Sequence, residues 1–172
     1  MVAFCGGGCI IMEVFPSARE ERAVKDIERA KELLAEGNFF VAVRGERVIV
    51  ENERGIASLL RFASEKPSEL AGASVADKIA GRAAAFLMTL CGVKEVYAEV
   101  LSKGAARIFE EHDTPFSFGV LADDIRDRTG RDICPMERAV KNIFSPEQAL
   151  PALLKRRAEL TAGNTPPYRQ GE

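Results

Sequence analysis

The chain has 172 residues, 47% of them hydrophobic and 29% charged, and its 24 basic and 26 acidic side chains leave a net charge of -2. That composition fits one globular domain with a single substantial core, and its charge balance gives no electrostatic case for a nucleic-acid partner. The longest charge-free run after the N-terminal extension, Ala83 to Val93, is 11 residues, too short to span a membrane, so no membrane partner is expected.

Residues 1–16 form an N-terminal extension around Cys5-Gly-Gly-Gly-Cys9, closed by Pro16. Three successive glycines disfavour a stable helix or strand interior. Two thiols do not close a metal site, so the extension is expected to be flexible. It lacks the basic flank of a signal peptide, which predicts a cytoplasmic protein whose four cysteines are reduced thiols.

From Ser17 to Glu36, Ala23, Val24, Ile27, Ala30, Leu33 and Leu34 recur at helical spacing, with a Ser17/Glu20 capping box before them and Gly37-Asn38 after. Phe39–Arg44 and Arg47–Val50 read as a hairpin turning at Gly45-Glu46. Ile56–Ala63 is a short helix, and a loop surrounds Pro67. A long helix is predicted from Val75 to about Leu90, ending at Gly92. Val93–Leu101 is a central strand, Ser102–Glu111 a helix and Phe116–Leu121 another strand. The charged run Asp123–Asp132 has no clear pattern. Pro135–Ile143 and Pro146–Leu160 are helices, and Lys155-Arg-Arg157 in the second is read as a solvated helix terminus. Residues 161–172 are expected to be a disordered tail. Strands alternating with helices after a leading hairpin predict an α/β protein, a three-layer α/β/α sandwich with a mixed sheet spanning residues 17–160.

Two stretches stand out. Ser74-Val-Ala-Asp77 has the form of a capping box, which by itself accounts for both polar residues. In the predicted helix, Lys78 and Arg82 lie four apart, on one face among small residues such as Ala76, Ala80 and Gly81. Two cations on such a helix need internal acids, Asp77 or Glu137, or else a bound anion at the helix N-terminus. Cys134-Pro-Met-Glu137 has Pro at the first helical position, Glu137 in the first turn and Cys134 at the cap, where the dipole favours a thiolate. The plain alternative for Cys134 is a small residue filling a turn. Cys91 reads as core, and His112 as a residue placed at a helix C-terminus.

Val75-Ala76-Asp77 and Cys134-Pro-Met-Glu137 together resemble the His-Ala-Glu and Cys-x-x-Cys elements of zinc-dependent nucleotide deaminases. Here Val stands in the metal-ligand position, Asp in the proton-shuttling position, and Glu in place of the second Cys. From about Ala30 to Leu154 the chain resembles a family of small prokaryotic proteins known as domain of unknown function 1893. The likeness is carried by Leu33-Leu-Ala-Glu-Gly-Asn38, Gly55-Ile56, Leu59-Leu60, Gly72-Ala-Ser-Val-Ala-Asp-Lys78, Gly92-Val-Lys-Glu-Val-Tyr-Ala98 and Cys134-Pro-Met-Glu137. It implies a cytidine-deaminase-like fold without the zinc signature. A deaminase zinc needs three N/S ligands and an open position, so no metal and no other cofactor is expected.

The leading expectation is a metal-free, deaminase-like domain that binds a nucleotide-like or other phosphorylated small molecule. Ser74, Lys78 and Arg82 would receive the anion, Asp77 and Glu137 would orient polar groups or move protons, and Cys134 would be a nucleophile. One alternative is a structural or regulatory module, a homo-oligomer, whose polar residues merely cap and pair. The other is an enzyme that uses Cys134 covalently.

Overall fold

A computed structural model describes residues 18–162. The Cys5/Cys9 extension, the Ser17 cap and the end of the tail lie outside these residues. Helix α1 (Ala18–Ala35) leads into the hairpin β1 (Phe40–Arg44) and β2 (Arg47–Glu51), which turns at Gly45 with φ +62°. Then follow α2 (Ala57–Glu65), a 3-10 turn at Pro67–Glu69, β3 (Ser74–Ala80), α3 (Arg82–Leu90), β4 (Glu95–Ser102), α4 (Lys103–Glu111) and β5 (Phe116–Ala122). The chain closes with α5 (Pro135–Ala139) and α6 (Pro146–Ala162).

The five strands form one mixed sheet in the order β2-β1-β3-β4-β5. β1 runs antiparallel to both β2 and β3, and β3, β4 and β5 are parallel. Period-two alternation divides β1 between two cores. Val41 and Val43 pack with Ala30 and Leu34 of α1 and with Ala76. Phe40 and Ala42 face the larger core with Val75, Val96 and Ala98, against α2, α3, α4 and α6. The sheet is therefore flanked by helices on both faces, α1 on one and the later helices on the other.

The alternation slips near the carboxyl ends of the parallel strands. The ladders pair Asp77 with Ala98 and Ile79 with Val100, then Ala98 with Phe118 and Val100 with Val120, and skip the row Lys78–Glu99–Gly119. Beyond that row Ala80 and Leu101 enter the helical core, while Ile79 and Val120 are exposed. Gly119 is required in this row because a Cβ there would lie 2.9 Å from the Glu99 carbonyl oxygen.

The principal correction concerns residues 74–81. The helix expected from Val75 begins only at Arg82, and Ser74–Ala80 is the central strand. The Ser-x-x-Asp pattern imitates a cap, but β-branched Val75 and Ile79 lie in a run bounded by Gly72 and Gly81, and tertiary pairing on both edges decides the outcome. No Ser74/Asp77 capping box exists, and Lys78 and Arg82 do not share a helix face. β4 is an interior strand next to β3. The run Asp123–Asp132 is a loop pinned by an Arg126–Ile133 bridge, within which Asp127 accepts the Thr129 backbone N–H and hydroxyl. α5 ends at Ala139, short of Ile143, and α6 runs to Ala162, two residues beyond the expected Leu160.

Candidate functional site at the start of helices α3 and α4

α3 and α4 both begin where parallel strands end, β3 at Ala80 and β4 at Ser102. The crevice outside the carboxyl ends of parallel strands is the usual ligand position in α/β sheets. Gly81 is the N-cap of α3 and has no side chain with which to cap it. The acceptor comes instead from α5: Arg82 N–H donates to Glu137 Oε2 at 2.9 Å and Ala83 N–H to Glu137 Oε1 at 3.0 Å. A buried carboxylate across two N–H groups at the positive end of a helix makes charge-assisted bonds that satisfy both orphan donors. Gly81 leaves the space for it, since a Cβ there would lie 2.6 Å from the Glu137 carboxyl carbon. Burial raises the Glu137 pKa above the usual carboxylate value, while the two N–H groups and the Arg82 charge oppose the rise.

The Arg82 side chain crosses from α3 onto the first turn of α4. A Cβ at Gly104 would lie 2.6 Å from Arg82 Cγ and 3.2 Å from Nη1, so this glycine makes room for the arginine. Ser102 caps α4, its Oγ accepting the Ala105 N–H at 3.0 Å, which leaves the N–H groups of Lys103 and Gly104 at the positive end of the helix. Arg82 Nε is sealed from solvent and has no hydrogen-bond partner among the described residues. A cation beside a helix N-terminus is electrostatically unfavourable, and a buried donor without an acceptor adds to that cost. Lys103 forms an exposed ion pair with Asp123 at 2.6 Å.

The structure gathers Arg82, Glu137 and Cys134 at this end of the sheet and puts the other expected residues elsewhere. Cys134 is the half-buried N-cap of α5, its side chain packed against the main core. Ser74 is fully buried at the far end of β3, about 20 Å away along a seven-residue strand, where its hydroxyl donates to Glu95 Oε1 at 2.6 Å. The Lys78 ammonium lies over the Phe39 ring, 4.9 Å from its centroid. Asp77, in mid-strand beside the skipped row, accepts the Ile79 N–H at 3.0 Å. The residue keeps some surface exposure, yet desolvation by the surrounding sheet pushes its pKa up to about 7, against the Ile79 and Lys78 N–H groups and with a small contribution from the Glu99 charge. His112 is the C-cap residue of α4, and Cys91 is buried, its thiol pushed up to about 11 by desolvation.

These residues do not fit a deaminase zinc. Among the described residues no group of three His, Cys, Asp or Glu side chains is placed to hold a metal ion, and the Glu137 carboxylate is engaged by two N–H groups. The residues that sequence reasoning missed are Gly81, Ser102 and Gly104. The only sequence signal for them is a small residue at each strand-to-helix junction.

The family model TM1506, a domain of unknown function (DUF1893), matches residues 29–155. The chain belongs to this family. It is also similar to the crystal structure of a DUF1893 family protein (TM1506) from Thermotoga maritima, at 24% identity, over 77% of this chain and 90% of that one, with a TM-score of 0.69. At that identity the likeness speaks for the fold. No curated protein matches the chain.

Proposed function

We propose that this is a metal-free, cytidine-deaminase-like domain that binds a phosphorylated small molecule of nucleotide type, with Arg82 as the principal contact. The observation that carries the reading is the position of the Arg82 guanidinium: over the first turn of α4, with Nε buried and without an acceptor among the described residues. An oxyanion there would accept from Arg82 and from N–H groups in the first turn of α4, turning an unfavourable cation–dipole contact into a favourable three-body one. Glu137 is a positioning residue in this reading, since it already occupies the α3 N–H groups and so directs an incoming anion to α4. The deaminase-like part of the proposal is supported by the leading antiparallel hairpin, the parallel strands joined by helices, and the polar groups collected at helix starts.

Ser74, Lys78 and Asp77 lie outside this crevice and are assigned no ligand contact. The test is thermal shift across inorganic phosphate, nucleoside phosphates and sugar phosphates, repeated with Arg82→Gln. The proposal expects stabilisation by at least one phosphorylated compound and its loss in the variant. Stabilisation that survives Arg82→Gln would move the site elsewhere.

A further inference from the structure

We propose that β5 is a self-association edge, at which two copies of this chain pair their β5 strands antiparallel about a two-fold axis and join their sheets into one. β5 ends the sheet, so one side of its backbone has no ladder partner among the described residues. Five successive residues, Ser117 to Leu121, are exposed, with Phe118 at 42%, Val120 at 59% and Leu121 at 42%. The apolar surface extends inward along the row Val120–Val100–Ile79, where Ile79 is 54% exposed. Residues 114–122 carry no charge, and the one proline among them, Pro115, precedes the strand.

Natural edge strands are protected by charge, proline or bulges against pairing with another chain. The opposite edge of this sheet is protected in that way. β2 begins at Arg47 and ends at Glu51, which are tied into ion pairs with Glu69 and Arg61. β5, from Phe116 to Ala122, has neither charge nor proline to serve in this way.

A second copy fits this edge better than a different partner does. An antiparallel pair about a two-fold is self-complementary, and a strand without charge meets no like-charge repulsion when it faces itself. The acidic residues just outside the strand, Asp113, Asp123 and Asp124, disfavour nucleic acid or an anionic membrane. A seven-residue ladder is about 23 Å long and, with side chains on both faces, buries on the order of 500 Å² per copy, against about 800 Å² for a standard tight interface. The dimer is therefore reversible and concentration-dependent. This inference is independent of the Arg82 reading.

Sedimentation velocity from low to high micromolar concentration tests it. The wild-type mass should rise from the 18.8 kDa of one chain towards twice that value, and Val120→Lys should hold the monomer mass throughout. Circular dichroism and melting temperature show whether the variant is folded, and Ser117→Lys places a charge at a second exposed position on the strand should Val120→Lys fail that check. Wild-type protein at the monomer mass at every concentration overturns the proposal, as does association that persists in a folded Lys variant.

Discussion

Gly81 and Glu137 depend on each other although they are far apart in the chain. Glu137 supplies the cap that Gly81 lacks, and Gly81 leaves the space that Glu137 needs. Gly81→Ala would push the carboxylate away from two N–H groups, and Glu137→Ala would remove it. Each should lower stability by about 1–3 kcal/mol in urea unfolding, the range for leaving buried donors unpaired, and the double variant should lose little more than either single one, because both act on one contact. Asp77 makes a separate prediction. Its pKa is raised from 3.8 to about 7, so between those values the folded protein holds a proton that the unfolded chain has released. Stability should therefore fall as pH rises from about 4 to about 7 and level off above that, a slope opposite to that of a salt-bridged carboxylate. Glu137 contributes in the same direction. Asp77→Asn should flatten the upper part of this profile, and chemical denaturation at a series of pH values measures it.

At the scale of elements, the contested segment is Ser74–Ala80. If it were the first turns of a helix, proline at position 76 would be tolerated. As the central strand, with Ala76 paired to Val41 on one side and Tyr97 on the other, Ala76→Pro should break a ladder inside the sheet and leave little folded protein by circular dichroism. Much of the rest was legible from local pattern. The α1 periodicity, the Gly45-Glu46 turn, the β4–α4–β5 succession and Pro135 at the start of α5 all depend on neighbours in sequence, and the structure has each of them. The β3–α3 boundary was not legible, because Ser74 and Asp77 satisfy a cap pattern locally while their partners, Glu95 and the β1 and β4 ladders, are supplied by tertiary structure. The same holds for the candidate site. Arg82, Glu137 and Cys134 could be singled out as residue types, but nothing local shows that Glu137 caps α3, or that Arg82 turns away from that cap towards Gly104.

For the molecule as a whole, two features set this domain apart from a plain α/β sandwich: an arginine at a helix N-terminus whose buried Nε has no acceptor among the described residues, and a sheet edge, β5, that carries neither charge nor proline. The first bears on ligand binding and the second on assembly, and each can fail without the other. The central claim is that Arg82 and the start of α4 receive an oxyanion. Isothermal titration of the wild-type protein with the phosphorylated compound that gives the largest thermal shift, in parallel with Arg82→Gln and Gly104→Ala, tests it most directly. The account predicts saturable binding to the wild type, affinity reduced at least tenfold in Arg82→Gln, and a smaller loss in Gly104→Ala, where the new methyl displaces the arginine. Equal affinity in wild type and Arg82→Gln, or no phosphorylated compound that binds the wild type, would contradict it.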